Sequence, residues 1–133
     1  MVIVLDTNVV VSGLIKPHGP PARLIDLVLS TAVRVAFDDR ILAEYKEVLL
    51  RPRFGLSESD IDAVLDHIRL TGTPTLAGIH QLPDCPDPDD LPFAEVAIAA
   101  RVDALVTGNS SHFVFLAEQG IRVMSPAAFL ADL

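Results

Sequence analysis

Short runs of apolar, mostly β-branched residues recur along the chain, and stretches with helical periodicity separate them. The run over residues 2–5 is continuous and rich in β-branched residues, which is typical of a strand that is buried on both faces of a parallel sheet. The runs over 33–37, 104–106 and 121–124 are similar, although the first and last of these each contain one arginine. Helices are predicted over residues 21–29, 40–50, 58–71, 92–102, 111–118 and 127–130. Strands that alternate with helices predict an α/β fold, a three-layer α/β/α sandwich around a central parallel sheet.

Two boundaries and one long loop complete this outline. Ser57 is the predicted N-cap of the helix over 58–71, because Asp60 follows three residues later, close to the capping-box pattern. Pro52 ends the helix before it. Residues 72–92 hold five of the ten prolines. Neither flank of this stretch would make a convincing domain alone, so we interpret it as an internal loop of one domain.

Composition supports a single domain over residues 1–133 with an aliphatic core, since half of the residues are apolar and only 5% are aromatic. Cys85 is the only cysteine, which excludes an internal disulfide and favours a reducing, cytoplasmic setting. The apolar start lacks a basic leader, and no uncharged apolar run reaches the roughly 18 residues of a membrane span. We therefore expect neither a signal peptide nor a membrane protein.

The net charge of −8 argues against a protein whose whole surface binds nucleic acid, because phosphate contacts need basic side chains. It does not exclude an enzyme that acts on RNA, since several acids could share one metal site. Lys46, Arg51 and Arg53 form the densest basic patch. They are candidates for RNA contact, although a solvated helix end explains them as well.

Two acidic residues stand where chemistry is expected. Asp6 follows the first predicted strand, and ligands of open parallel sheets bind beyond the carboxyl ends of the strands. Capping of a helix that starts near Asn8 would also explain Asp6. Glu44 lies three residues after Ile41 and four before Val48, so it shares the apolar face of its helix. A carboxylate turned toward a core is costly unless it is paired, protonated or bound to metal.

A third acidic group precedes the helix over 92–102. Four aspartates lie within residues 84–90: Asp84, Asp87, Asp89 and Asp90. The neighbours Asp89 and Asp90 repel each other, and a divalent cation would relieve that repulsion, although acids also cap helices. The run lacks the glycine and closing glutamate of a calcium-binding EF-hand loop. Glu95 also has apolar residues at helical spacing, so it too is a candidate to face inward.

Acids from these remote segments are predicted to converge at one sheet edge. Asn109 follows the strand over 104–106 and joins them if that strand neighbours the first. Such a cluster repels itself unless it holds a cation such as Mg²⁺ or Mn²⁺, which would orient water for phosphodiester cleavage. No histidine is predicted as a general base. The four, His18, His67, His80 and His112, are interpreted as surface residues.

At these positions the sequence resembles the PIN-domain proteins, in particular the PIN-family toxins of toxin–antitoxin systems that are related to the VapC toxins. The opening motif is LDTNVVVSGL at residues 5–14. Six further segments continue the resemblance: GPPARL at 19–24, ILAEY at 41–45, RPRF at 51–54, DPDDLPF at 87–93, LVTGN at 105–109 and SPAAFL at 125–130. Each motif is weak alone, but their order and spacing together are specific, and they span nearly the whole chain.

The resemblance implies a PIN-like sandwich whose catalytic positions are Asp6, Glu44, Asp90 and Asn109. The three acids would be ligands of Mg²⁺ or Mn²⁺. It further implies cleavage of single-stranded RNA, a homodimer, and an antitoxin that inserts into the active-site groove. Many relatives carry acids at the positions of Leu91 and Asn109, so the expected metal affinity is lower here. Asp90, one residue earlier, or Glu95, one helical turn later, could fill the place of the acid at Leu91.

Several residues are expected to support this cluster. They are Asn8, Ser12 and Thr107 beside the ends of the predicted strands over 2–5 and 104–106, and Asp87, Asp89 and Glu95 around the acidic run. Helix capping for the first two and an ordinary strand-end turn for Thr107 are equally good explanations.

Two alternatives to an active ribonuclease remain from the sequence. The first is a degenerate PIN domain that binds RNA or protein without cutting, which the departures at Leu91 and Asn109 support. The second is a phosphoacceptor receiver domain with Thr107 after a strand. This second alternative lacks the required lysine beyond the last strand, where the chain reads Met124-Ser125-Pro126.

Overall fold

The strands of the chain pair side by side in one parallel sheet. A computed structural model of the chain describes residues 1–78, 82 and 85–133. The strands are β1 Val2–Leu5, β2 Arg34–Phe37, β3 Thr73–Pro74, β4 Ala104–Val106 and β5 Val123–Met124. Their order across the sheet is β3-β2-β1-β4-β5, with every pair parallel. The central strand β1 therefore lies between β2 and β4.

Helices connect the strands and cover the sheet. They are α1 Thr7–Ile15, α2 Pro20–Leu29, α3 Asp39–Leu49, α4 Glu58–Thr71, α5 Leu91–Ala100 and α6 Pro126–Ala131. Three 3-10 helices span Pro52–Phe54, Pro88–Asp90 and Ser110–Gln119. The all-parallel sheet with its helices forms the predicted α/β/α sandwich.

The sheet departs from the predicted strands at both edges. β3 lies inside the stretch that was interpreted as an irregular loop, and that interpretation is wrong for Thr73–Pro74. A two-residue strand that contains proline gives almost no sequence signal, and proline is tolerated because β3 is an edge strand. At the other edge β5 covers only Val123–Met124, because the amide of Ile121 bonds instead to the carbonyl of Leu116.

The helices are close to prediction with two exceptions. Ser57 caps α4 by accepting from the amide of Asp60, and α4 has the predicted bounds. A helix that starts near Asn8 was considered only as an alternative explanation of Asp6, because the run of three valines and Gly13 in α1 are poor helix formers. All three valines are buried, so packing overrides propensity there. The segment predicted as a helix over 111–118 is a 3-10 helix that is broken at Phe113.

The core is mostly aliphatic, as composition predicts, although five of the seven aromatic side chains of the chain are also buried in it. β1 and β4 are almost completely buried, and α5 packs against β1, β2 and β4 with Phe93, Ala94, Val96 and Ala97 inside. Within the described ranges, no helix has the length and apolarity that a membrane crossing requires.

Candidate active site

The carboxyl ends of β1 and β4 meet where the strand order of the sheet reverses. Leu5 of β1 is in register with Val106 of β4, and the amide of Asp6 donates to the carbonyl of Val106 at 2.9 Å. Chain connections leave β1 and β4 in opposite directions across the sheet, which opens a crevice of the kind that binds ligands in α/β folds. Asp6 and Thr107, one residue past each strand, lie at this crevice.

Asp6 is buried and hydrogen-bonded through both carboxylate oxygens. Its Oδ1 accepts from the amide of Thr7 at 2.9 Å, and its Oδ2 accepts from the hydroxyl of Thr107 at 2.8 Å and from Nδ2 of Asn8 at 3.3 Å. Burial raises the pKa of the Asp6 carboxyl, and the hydrogen bonds from Thr107 and Thr7 offset only part of that rise. Asp6 is also the N-cap of α1, so the same side chain both caps this helix and lies at the crevice.

Glu44 reaches the same crevice from α3. It is half-buried, and its carboxylate accepts a hydrogen bond from the hydroxyl of Thr7. Burial raises the pKa of Glu44, and the negative charge of Asp6 raises it further. The next residue, Tyr45, is fully buried and donates to the carbonyl of Leu5 at 2.5 Å, which ties α3 to the end of β1. The inward orientation predicted for Glu44 is therefore observed.

Asp90 brings a third carboxylate from the 3-10 helix that leads into α5. Its side chain is only 13% exposed, and its Oδ2 lies 3.2 Å from Nδ1 of His112. Burial, followed by the charges of Asp6 and Asp87, raises the pKa of Asp90 from 3.8 to about 6. Three carboxyl groups from separate elements therefore lie at the crevice: Asp6, Glu44 and Asp90. The surroundings of each group disfavour its ionised form, mainly through burial.

His112 is the residue of the crevice that sequence reasoning missed. Besides Asp90 it contacts the side chain of Asn109, with 3.0 Å between Nε2 and Asn109 Nδ2. Its interpretation as isolated is wrong, whereas its interpretation as a surface residue holds, since 42% of its side chain is exposed. The only sequence signal was its spacing three residues after Asn109, in a segment that did not read as part of any site. His80 lies outside the described residues.

Thr7 was likewise given no role from the sequence, although it joins Asp6 to Glu44 through its amide and its hydroxyl. A threonine directly after a buried strand reads as an ordinary helix start. Its bridging position depends on where α3 packs, which local sequence does not reveal.

The remaining acids of the acidic run lie around the cluster. Asp87 caps the 3-10 helix by accepting from the amide of Asp89 at 3.0 Å. Asp89 is exposed, and its charge contributes to the raised pKa of Glu44. The sequence emphasised repulsion between Asp89 and Asp90, but the charges that act on Asp90 come from Asp6 and Asp87. Asp84 lies outside the described residues.

Glu95 faces inward as predicted, but it is paired with a base. Its Oε1 lies 2.8 Å from a guanidinium nitrogen of Arg40, which also contacts Asp38 at 2.7 Å. The Arg40 side chain is 47% exposed, so it reaches Glu95 from the solvated side of α3. The side chain of Glu95 is 8% exposed, so Arg40 supplies the charge that a buried carboxylate needs.

Comparison with protein-family models adds the family. The model described as PIN domain matches residues 2–111. The chain belongs to the PIN domain family. Its residues 2–111 include β1, α3, the acidic run and β4, which together form the crevice. No curated protein matches the chain.

Among solved structures, the PIN chain resembles VapBC2 from Rickettsia felis bound to a DNA fragment from its promoter. The TM-score is 0.54 at 18% sequence identity, and the match covers 94% of this chain and 98% of that chain. At this identity the likeness concerns the fold. The receiver-domain alternative is wrong, since such domains have the strand order 2-1-3-4-5 and this PIN sheet has 3-2-1-4-5.

The polar residues of the PIN crevice differ in how directly they contact the carboxylates. Asn8 donates to Asp6, and its Oδ1 accepts from the amide of Gly108 at 3.1 Å, so it joins the ends of β1 and β4. Thr107 is buried and also accepts from the amide of Asn109 at 2.9 Å. Ser12, one helical turn after Asn8, instead lines an open groove of about 410 Å³ beside the crevice, together with residues of α2 and α6.

The oxygen atoms of the three carboxylates are suitable ligands for a hard divalent cation, but the side chains are not close enough together to bind one as they stand. Mg²⁺ and Mn²⁺ prefer carboxylate oxygens, and a cation would relieve the burial and repulsion that raise the three pKa values. Over residues 1–78, 82 and 85–133, however, no three Asp, Glu, His or Cys side chains are grouped closely enough to hold a metal ion. Binding would therefore draw the carboxylates together.

The basic patch inferred from the sequence is largely neutralised. Lys46 pairs with Asp62 at 3.1 Å and with Glu58 at 3.6 Å. Arg51 approaches Glu47 at 3.4 Å, whereas the guanidinium of Arg53 lies over the ring of Phe54. In the described part of the chain Arg53 takes part in no ion pair, so of the three it is the one available to a phosphate.

Proposed function

We propose that this PIN domain is a metal-dependent endoribonuclease, a phosphodiester hydrolase that cleaves single-stranded RNA. The observation that carries the proposal is the group of three poorly solvated carboxylates at the reversal of strand order. Among the described residues, none of Asp6, Glu44 and Asp90 forms an ion pair with lysine or arginine. Carboxylates kept without a basic partner in a crevice are characteristic of functional sites.

Family membership supports the same reaction class, since PIN domains are generally nucleases that use divalent metals. Asp6, Glu44 and Asp90 would hold Mg²⁺ or Mn²⁺, with Asn109 at the edge of the site. When bound, the cation activates water and stabilises the charge on the phosphodiester oxygens.

The other residues of the crevice would act by positioning these ligands. Thr107 and Asn8 fix one oxygen of Asp6, and the amide of Thr7 fixes the other. The hydroxyl of Thr7 holds Glu44, while Tyr45 holds the helix that carries it. Precise placement of ligands matters because reactions at phosphate depend on alignment of the attacking and leaving oxygens.

RNA would approach an acidic protein, so binding must rely on a few local contacts. Arg53 is the leading candidate, whereas Lys46 and Arg51 would first have to leave their acidic partners. Single-stranded RNA is the expected substrate because its flexible backbone can enter a crevice at a sheet edge, whereas a stiff duplex cannot bend to do so.

We further propose that the chain is the toxin of a toxin–antitoxin pair that acts in the cytoplasm as a homodimer. The resemblance to VapC toxins and the similarity in fold to VapBC2 support an antitoxin partner. Exposed apolar surface around Val114, which is 66% exposed, and along β5 offers a place for a second copy.

A second candidate function is a PIN domain that binds RNA or protein without cutting it. Two observations favour it. Within the described ranges the carboxylates do not form a ready ligand group for a metal. In addition, the side chain of Asn109 is engaged by His112 and Ser111, so its oxygen is not directed at a metal.

Cleavage of an unstructured, fluorophore-labelled single-stranded RNA in Mg²⁺ or Mn²⁺ tests the proposal. The wild type should cut, while EDTA and Asp6→Asn should abolish cutting. Asp66→Asn is the matched control, since Asp66 is an exposed acid on α4 that pairs only with its neighbour Arg69 among the described residues. Equal behaviour of the wild type and Asp6→Asn would refute the nuclease. Metal-independent RNA binding without cleavage would favour the second candidate.

A further inference from the structure

His112 stands between the acidic crevice and the loop after β4, and both of its ring nitrogens are occupied. Nδ1 lies 3.2 Å from Oδ2 of Asp90, and Nε2 lies 3.0 Å from Nδ2 of Asn109. The backbone amide of His112 also donates to the carbonyl of Asn109 at 3.1 Å. The ring is therefore held at its backbone and at both ends.

The chemistry of these partners determines where the ring carries its proton. The nitrogen of a carboxamide can only donate, so Nε2 of His112 must accept from Asn109 and carries no hydrogen. The hydrogen then resides on Nδ1 and is donated to the Asp90 carboxylate. In this orientation of the Asn109 carboxamide its Oδ1 accepts from the hydroxyl of Ser111 at 3.2 Å, so both ends of the amide are hydrogen-bonded.

We propose that His112 is a positioning residue for Asp90, and that the Asn109 carboxamide holds it in the Nδ1–H tautomer that can donate to that carboxylate. The role of Asp90 as a metal ligand rests on the proposed function, whereas the tautomer does not. Asn109 then acts through His112 rather than on the metal.

The identity of residue 109 is decisive for this arrangement. A carboxylate in place of the Asn109 carboxamide would accept from Nε2 instead of donating to it. The imidazole would then lie between two carboxylates, and Nε2 would need a hydrogen to bond with residue 109. Asparagine at this position instead donates to Nε2, which leaves the donor side of the ring directed at Asp90.

His67 shows a histidine without such a role. Its Nε2 lies 3.0 Å from the backbone carbonyl of Val28, so it ties α4 to α2 and contacts no carboxylate in the described structure. It serves as an internal reference for the measurement that follows.

Nitrogen-15 NMR of the histidine rings at about pH 8, where ordinary histidines are neutral, reads the tautomer directly. The signals of His112 are assigned by their loss in His112→Asn. The proposal expects a protonated Nδ1 and an unprotonated Nε2 in the wild type, and hydrogen on Nε2 in Asn109→Asp. An Nε2–H tautomer in the wild type, or no change in Asn109→Asp, would overturn it.

Two substitutions separate positioning from simple packing, and the exposed His112 side chain makes both tolerable to the fold. The side-chain amide of asparagine can occupy the place of Nδ1, whereas that of glutamine can occupy the place of Nε2. Mn²⁺ binding is followed by the loss of the free-ion signal in electron paramagnetic resonance. His112→Asn should bind within about threefold of the wild type, while His112→Gln should weaken binding by roughly 10-fold or more, the usual cost of losing an orienting hydrogen bond.

Equal binding by both variants would overturn the positioning role. If the wild type binds no Mn²⁺ and cuts no RNA, the proposed function fails, and the ring signals alone decide the role of Asn109. The two failures are thereby distinguished.

Discussion

Two regions of the molecule bury carboxylates, and they do so in opposite ways. Glu95 on α5 lies against Arg40 of α3, whose guanidinium supplies a full positive charge at 2.8 Å. At the carboxyl ends of β1 and β4, the donors that the described residues supply to Asp6, Glu44 and Asp90 are neutral groups and one histidine. We call the first region complete, because its buried carboxylate is paired with a basic side chain. We call the second region incomplete, because among the described residues its three carboxylates form no ion pair with lysine or arginine.

The difference teaches how a functional acid is recognised. Burial alone does not mark a site, because Glu95 is as buried as Asp6. A raised pKa on several neighbouring carboxyl groups without a basic partner marks a place where folding leaves negative charge unbalanced. The following predictions test that contrast.

Removal of the base from the complete region should have the largest effect on stability. Arg40→Met would remove the positive charge at 2.8 Å from the buried Glu95 carboxylate, which we expect to cost about 3 kcal/mol in the free energy of unfolding. Urea denaturation followed by circular dichroism measures this. Arg69→Met is the control, because its exposed pair with Asp66 should contribute less than about 1 kcal/mol. Equal losses in the two variants would mean that the Arg40–Glu95 pair is not special.

Addition of a cation should act only on the incomplete region. At an Mn²⁺ concentration 100 times the dissociation constant, we expect the wild type to gain about 2.7 kcal/mol of stability. Asp6→Asn should gain little, and Glu95→Gln should gain as much as the wild type relative to its own baseline. Thermal unfolding with and without Mn²⁺ provides the comparison. A full gain in Asp6→Asn would place the cation elsewhere.

The stability of the metal-free protein should depend on pH through Asp90. Its pKa is about 6 in the folded protein and 3.8 for a free aspartate, so folding favours the protonated form. This group therefore contributes stability that is present below about pH 4 and lost as the pH rises through 6. Asn resembles the protonated form, so Asp90→Asn should exceed the wild type at pH 8 by about 1 kcal/mol, a value reduced for partial solvent screening.

Urea titrations in EDTA at pH 4, 6 and 8 measure the difference between wild type and Asp90→Asn. The gap should widen with pH. A stability difference that stays constant with pH would show that the surroundings of Asp90 do not raise its pKa.

The smallest effect concerns the basic residues. Arg53→Ala should weaken binding of single-stranded RNA about threefold and lower the salt slope by about 0.7, as loss of one phosphate contact does. Lys46→Ala should change binding less, because Asp62 and Glu58 already hold its ammonium group. Fluorescence anisotropy at several salt concentrations tests this. A larger loss for Lys46→Ala would reverse the assignment.

Sequence reasoning succeeded where the signal was local or periodic. The apolar runs predicted the positions of β1 and β4, and helical periodicity predicted that Glu44 faces inward. It failed where partners come from distant segments. The bonds of Glu95 to Arg40 and of His112 to Asp90 span 55 and 22 residues, and neither leaves a pattern in its own segment. The helix α1 was considered only as an alternative because valine and glycine predict against it, although burial decides otherwise.

Other sequence-based expectations stay predictions. They include a single domain over residues 1–133 and the catalytic roles of the individual residues. The structure gives their surroundings, and the variants above test the roles.

The central claim is that the carboxylates without a lysine or arginine partner among the described residues perform the chemistry, whereas Glu95, which is paired with Arg40, maintains the fold. The most direct test compares cleavage of single-stranded RNA in Mn²⁺ by Glu44→Gln and Glu95→Gln, with each rate corrected for the folded fraction. The account predicts a loss of more than about 100-fold for Glu44→Gln, beyond the usual effect of an orienting residue, and a change within about threefold for Glu95→Gln. Equal losses, or a greater loss in Glu95→Gln, would contradict it.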